Sequence, residues 1–173
     1  MRVIITGTPG SGKSAIAKKL SHALKAELVD IALIAREKGL VSKNHEVDIL
    51  KLSKALSFLK GKKHFVAEGH LACEMKLPAD FVFVLRCDPE VLSRRLKRRN
   101  YPKKKLEENI MAEILDYCTQ RVLAVYRKKP LELDTSSRTP EECARILSAA
   151  VKNKKKTLDK VDYSDYLLPK KIF

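Results

Sequence analysis

Eight residues near the start of the chain, Gly7-Thr8-Pro9-Gly10-Ser11-Gly12-Lys13-Ser14, satisfy the pattern G-x-x-x-x-G-K-[ST] at every position. Glycines in such a loop let successive backbone N–H groups turn toward one anion, which a side chain would prevent. A short apolar run at 3–5 precedes the loop and an amphipathic stretch begins at Lys13, so the loop should open a helix. The partial positive charge of that helix start adds to the same site. Lys13 supplies a charge for the β- and γ-phosphates, and the Ser14 hydroxyl a hard oxygen for Mg²⁺. Together these residues bind a nucleoside triphosphate.

A second chemical signal is the run from Arg94 to Lys105, in which eight of twelve residues are cationic and none is acidic. Three readings stay open. It could be a mobile lid that closes over a triphosphate and neutralises its phosphoryl oxygens. It could be an RNA-contacting patch, or a solvated helix end whose charges complement the helix dipole. A guanine-specific GTPase would carry N-K-x-D, but the single Asn-Lys pair, Asn153-Lys154, is followed by two more lysines. That reading is set aside.

The elements that must position these groups alternate along the chain. Apolar runs at 3–5, 27–30, 64–67, 81–85 and 131–133 predict five strands, several of them covered on both faces. Amphipathic stretches predict helices over about 13–25, 31–39, 46–60, 89–99, 104–128 and 140–152. In the longest, Ile110, Ile114, Leu115, Cys118, Val122, Val125 and Tyr126 form one stripe toward the sheet. Asp88-Pro89 and Thr139-Pro140-Glu141-Glu142 mark two helix starts, the second with a capping-box glutamate. Strands alternating with helices predict an α/β fold with a parallel sheet and helices on both faces. Residues 152–173 break the pattern as a basic C-terminal tail with seven Lys, three Asp and two tyrosines.

The 173 residues fit one domain, here 1–151, with a core large enough to need no staples. No run of 18 apolar residues suggests a membrane span, and the start lacks a signal-peptide pattern, so a cytoplasmic location is expected. Cys73, Cys87, Cys118 and Cys143 are too scattered for a zinc ribbon or disulfide framework and read as buried thiols. Thirty-six basic against twenty-one acidic residues give +15, which favours anionic partners such as nucleotides or RNA. One Gln, four Asn and abundant Lys and Glu also resemble a heat-adapted composition, which accounts for many charges but not for their imbalance.

Several stretches together resemble the archaeal–eukaryotic adenylate kinase isoenzyme six family. They are Gly7 to Ser14, Ile34-Ala35-Arg36-Glu37, Glu68-Gly69-His70, the run from Phe81 to Arg86, Asn100-Tyr101, Lys104-Lys105-Leu106 and Asn109-Ile110. The resemblance covers roughly residues 1–150. It implies a P-loop fold of the nucleoside monophosphate kinase type, adenylate kinase activity with a broad acceptor range, ATP hydrolysis, and Mg²⁺ as the cofactor. It also implies a part in small-ribosomal-subunit maturation and rRNA processing, through binding of the platform protein uS11, with small-subunit rRNA as a further partner. On this basis Gly10, Ser11, Gly12, Lys13, Ser14 and Ala15 would cradle ATP, with Ser14 on the metal. Arg99 would be the lid arginine within a lid at about 98–108. The monophosphate would bind at about 30–53, with Arg36 as a phosphate contact; Arg36 could equally be a plain surface cation.

Glu68 and His70 follow the third predicted strand, the edge at which open α/β sheets bind ligands. The family tends to carry Asp where this chain has Glu68, so a water shell around Mg²⁺ suits the longer carboxylate. His70 could orient or deprotonate an attacking water, or it could be a structural residue pinning its loop. His22, His45 and His64 read as structural or exposed. Ordinary adenylate kinases place paired arginines on the helix after the lid; here that helix has none before Arg121, implying slower transfer and looser nucleotide choice. Two rivals remain: a small-metabolite P-loop kinase, and a nucleotide-gated assembly factor with negligible phosphotransfer.

Overall fold

A computed structural model of the chain describes residues 1–42, 44 and 46–168. Its five strands, β1 (Arg2–Gly7), β2 (Glu27–Asp30), β3 (Phe65–Glu68), β4 (Phe81–Arg86) and β5 (Leu131–Asp134), form one sheet in the order β2-β3-β1-β4-β5. Every pairing is parallel, as the alternation of strands and helices predicts. Odd-numbered positions of the central strands, Val3, Ile5, Phe83 and Leu85, pack with Ile16 and Leu20 on one face. Ile4, Val82 and Val84 pack with Val122 and Tyr126 on the other. All four cysteines are buried and free.

The helices are α1 (Lys13–Leu24), α2 (Ile31–Glu37), α3 (Ile49–Ala55), α4 (Pro89–Lys97), α5 (Lys103–Ile114), α6 (Tyr117–Tyr126) and α7 (Pro140–Lys152). Both predicted helix starts are present. Asp88 accepts from the Glu90 and Val91 amides, and Thr139 with Glu142 forms the reciprocal capping box. Among the described residues no helix is long and apolar enough to cross a membrane.

Two expectations need correction. The helix expected over 46–60 starts at Ile49 and passes into a 3-10 turn, Ser57–Gly61. The long helix expected over 104–128 is two helices, because Asp116 turns left-handed (φ 53°). Ile114 and Cys118 stay buried across that break, whereas Leu115 is exposed. The stripe read through Leu115 is therefore interrupted.

The tail after α7 is not a free extension over its described part. The Asp159 amide donates to the Glu132 carbonyl at 3.1 Å, and the Asp159 carboxylate accepts from the Asp134 amide at 2.9 Å and pairs with Arg138. The tail thereby covers the edge strand β5, whose backbone groups would otherwise be open to a foreign strand.

Candidate functional site

The site is built where β1 ends and α1 begins. Gly7 (φ 141°) has no room for a side chain: a Cβ would stand 2.4 Å from the Leu85 carbonyl oxygen. Gly10 (φ 92°) is pressed against α4, where a Cβ would meet Leu92 at 2.8 Å and Leu96 at 3.0 Å. Close approach and positive φ thus explain these two glycines. Gly12 is the N-cap of α1, and the amides of Lys13, Ser14 and Ala15 stand at the helix start, the groups that suit an anion. Ser11 is fully buried. Its Oγ is the one buried side-chain polar atom without a hydrogen-bond partner among the described residues, and its carbonyl accepts from Thr135 Oγ1 at 3.0 Å.

Lys13 is buried, and its Nζ donates to the Thr8 carbonyl at 3.0 Å. Burial pulls its ammonium below the usual lysine value; Cys118, Glu68 and Glu113 oppose that, and the Arg99 guanidinium adds to it. Arg99, although exposed in the turn between α4 and α5, is therefore within electrostatic reach of the loop lysine. The rest of the basic run divides. Arg94, Lys97, Arg98 and Lys103 to Lys105 are exposed, but Arg95 is half-buried and donates to the Thr135 carbonyl at 2.7 Å, so it braces the β5–α7 loop.

Ser14 is exposed at the head of α1, next to the end of β3. Glu68 is buried there. Burial raises its carboxyl above the ordinary glutamate value, the Ser14 hydroxyl and Lys13 charge hold it down, and Asp30 raises it further. Asp30 is the in-register partner of Glu68 at the end of β2, and its Oδ1 caps α2 by accepting from the Leu33 amide at 2.9 Å. A serine hydroxyl and two carboxylates are hard oxygen donors of the kind Mg²⁺ takes. Among the described residues no group of three or more His, Cys, Asp or Glu could hold a metal unaided. The set fits an ion that arrives with a phosphate chain.

His70 opens a 3-10 turn, His70–Cys73, directly after β3. Its carbonyl accepts from Thr6 Oγ1 at 3.2 Å and from Cys73 Sγ at 3.1 Å, which fixes the backbone and leaves the side chain exposed. Desolvation by the protein around the ring, aided by the Lys13 charge and opposed by Glu74, brings its pKa down to about 4. The imidazole is neutral at pH 7 and free to accept a hydrogen bond.

Arg36 is exposed on the last turn of α2 and forms no ion pair among the described residues. It lies in the segment expected to bind a monophosphate. A hollow of about 420 Å³ in that segment is lined by residues including Val41, Val47, Asp48 and Lys51. His22 and His64 are exposed, as expected, and His45 lies outside the described residues. A larger hollow, about 880 Å³, lies between α1 and α7 and takes in Ala15 from the site.

Reading the sequence missed two groups. Asp30 could have been found, since it ends an apolar strand just as Glu68 does. The other is a buried cluster around Arg86. Arg86 Nε donates to Glu113 Oε1 at 2.8 Å and its NH1 to Glu132 Oε1 at 2.7 Å, and it also pairs with Asp116. Burial would lower its pKa, but Glu113, Glu132 and Asp116 raise it instead. Thr8 of the phosphate loop donates its hydroxyl to the same Glu113.

Residues 3–116 match the profile of a family described as "AAA domain". A "Putative adenylate kinase" of Methanocaldococcus jannaschii is 37% identical over 178 residues, which cover 96% of this chain and 97% of that protein. Proteins of the same name from Thermococcus kodakarensis and Pyrococcus furiosus are 37% and 33% identical, over 95% and 98% of this chain and 94% and 96% of theirs. The chain belongs to this family. The match to these archaeal proteins runs over nearly the whole chain. Among solved structures, a shikimate kinase from Acinetobacter baumannii in complex with shikimate superposes with a TM-score of 0.68 at 18% identity, over 90% of this chain and 94% of that one. A shikimate kinase from Aquifex aeolicus gives 0.59 at 18%, over 89% and 98%. At those identities the likeness is one of fold, and the fold is that of a small P-loop kinase.

Proposed function

We propose that the chain is a Mg²⁺- and ATP-dependent nucleoside monophosphate kinase that also hydrolyses ATP. One observation carries the reading: buried Lys13 reaches back over the glycine loop to the Thr8 carbonyl, with Arg99 and Glu68 in electrostatic reach and Ser14 next to it in the chain. In this account the loop amides and Lys13 hold the β- and γ-phosphates. Ser14, with Glu68 and Asp30 behind it, would hold Mg²⁺, which supplies positive charge to the phosphate chain when bound. Arg99 closes over the transferring group, where charge stabilisation is the main catalytic term. The acceptor lies in the segment 30–53, with Arg36 on its phosphate. Without an acceptor, neutral His70 orients a water instead.

A role in small-ribosomal-subunit maturation, through uS11 and rRNA in the cytoplasm, is proposed beside this activity. Its support is the family resemblance, the +15 charge and the exposed cations from Arg94 to Lys105. ADP formation would be measured with ATP alone, ATP with AMP, and ATP with purified uS11. The kinase reading expects AMP to raise ADP formation at least about tenfold, as oriented acceptors do. No response to AMP, with a response to a sugar or cyclic acid, would assign the chain to small-metabolite kinases. A response to uS11 alone would make it a nucleotide-gated assembly factor.

A further inference from the structure

Thr8 holds a place in the phosphate loop that phosphate chemistry does not require. It is buried, at 2% exposure, and bonds in two directions. Its carbonyl accepts from Lys13 Nζ at 3.0 Å and from the Ser11 amide at 3.1 Å, and its hydroxyl donates to Glu113 Oε2. The other oxygen of that carboxylate accepts from Arg86 Nε at 2.8 Å and from the Cys87 amide at 3.1 Å. One buried carboxylate therefore joins the loop, the end of β4 and α5.

The far end of α5 is the basic turn. The twelve residues Lys103–Ile114 form one helix of about 18 Å. Its first turn lies within the segment 98–108, and Glu113 lies in its last. Immediately beyond, Asp116 takes a left-handed conformation (φ 53°), a backbone break of the kind that serves as a hinge. Arg86 grips this break from below, through the Glu113 carbonyl at 3.0 Å and through Asp116.

We propose that Thr8 and Glu113 are positioning residues that transmit occupancy of the phosphate loop to the lid, with Leu115 and Asp116 as the pivot. Phosphates that recruit Lys13 remove one of the two donors from the Thr8 carbonyl and leave the Ser11 amide as the other. The Thr8 hydroxyl stays tied to Glu113, so the adjustment at Thr8 is felt at the root of α5. Neither residue needs to touch the nucleotide. The inference rests on the proposed reading of 98–108 as an ATP lid.

The lid carries its own reporter, because Arg98, Arg99 and Lys103 to Lys105 are exposed trypsin sites. Full-length protein would be digested with and without saturating magnesium and a non-hydrolysable ATP analogue, as wild type, Thr8→Ser and Thr8→Val. Nucleotide affinity, kcat and melting temperature would be measured on each. Wild type and Thr8→Ser should show lid cleavage slowed by about tenfold or more on nucleotide binding, within the usual range of site-to-site coupling. Thr8→Val should bind nucleotide within about threefold of wild type, lose most of the protection, and lose about tenfold in kcat.

Asp116→Gly keeps the left-handed backbone while releasing the side-chain half of the Arg86 grip on the pivot and leaving the Glu113 carbonyl contact in place. It should show the same uncoupling, and it keeps the inference testable if Thr8→Val does not fold. Full protection with normal kcat in Thr8→Val or, where that variant does not fold, in Asp116→Gly overturns the inference and leaves the lid standing. Weaker affinity with unchanged saturated kcat also overturns it. A wild type that nucleotide does not protect overturns the lid reading and the inference together.

Discussion

The guanidinium carbon of Arg86 lies 5.3 Å from the ring centroid of Tyr163, so a tail residue covers the charge at the centre of the buried ionic cluster. Tyr166, edge-on to Tyr163, donates its hydroxyl to Asp88 at 2.8 Å, at the cap of the helix that leads to the basic turn. Truncation after Val151 is expected to remove this cover. A cation–π contact of this kind contributes about 1–2 kcal/mol, which lowers the melting temperature by roughly 2–8 °C in a chain of this size. Truncation also removes the Asp159 contacts to β5 and Arg138, so Tyr163→Ala should reproduce only part of the loss. Calorimetry on both variants checks this, and an unchanged melting temperature would return the tail to a free appendage.

Arg86→Met tests the cluster itself. The substitution leaves Glu113, Glu132 and Asp116 without their cation in a mostly buried setting. Breaking a buried pair from one side costs about 3–5 kcal/mol, or roughly 10 °C or more in melting temperature here. A loss below about 1 kcal/mol, the range of exposed pairs, would mean that solvent already screens the site.

This cluster also marks where the sequence stops being readable. The strands and the phosphate loop are local signals, carried by short apolar runs and by one eight-residue pattern, and the helix caps at Asp88 and Thr139 are equally local. Arg86 looks like the polar end of a strand, and its partners come from α5, the break after it and β5, so no spacing rule joins them. For the same reason the sequence presents the break at Asp116 as continuous helix: without the Arg86 contacts, Leu115-Asp116-Tyr117 is an ordinary helical sequence. The docking of the tail depends on Asp159, Tyr163 and Tyr166 meeting distant groups, and a Lys-rich composition conceals it. At the site, Lys13, Ser14 and Glu68 were legible because each ends or opens a recognisable element.

Gly10→Ala should damage the loop from its outer side. The added Cβ would come within 2.8 Å of Leu92 and within 3.0 Å of Leu96, at a φ of 92°. Local strain of this kind costs about 1–3 kcal/mol. The expected outcome is ATP affinity weakened by about tenfold or more, measured by calorimetry, because the loop must shift away from α4. Wild-type affinity would mean that Leu92 and Leu96 yield without disturbing the loop.

His70 carries the pH dependence of hydrolysis. Its pKa is about 4 in the folded chain against an ordinary 6.5, so on acidification the unfolded chain takes up this proton first. The contribution of His70 to stability is full above pH 6.5 and is lost as pH falls toward 4. Its activity contribution should persist lower than for an ordinary histidine, with a limb in the hydrolysis profile centred near pH 4 and absent in His70→Gly. That variant should lose about 10²-fold in hydrolysis and far less in transfer to AMP. A limb centred near 6.5, or parallel loss of both activities and of thermal stability, would make His70 structural.

Lys13 and its surroundings are expected to move the γ-phosphoryl group of ATP to a monophosphate. The most direct measurement follows γ-labelled ATP with excess AMP and separates labelled ADP from labelled inorganic phosphate. Most of the label is expected in ADP, with both products abolished in a folded Lys13→Ala variant that retains the wild-type melting temperature. Label only in inorganic phosphate at every AMP concentration, or normal turnover in Lys13→Ala, would contradict it.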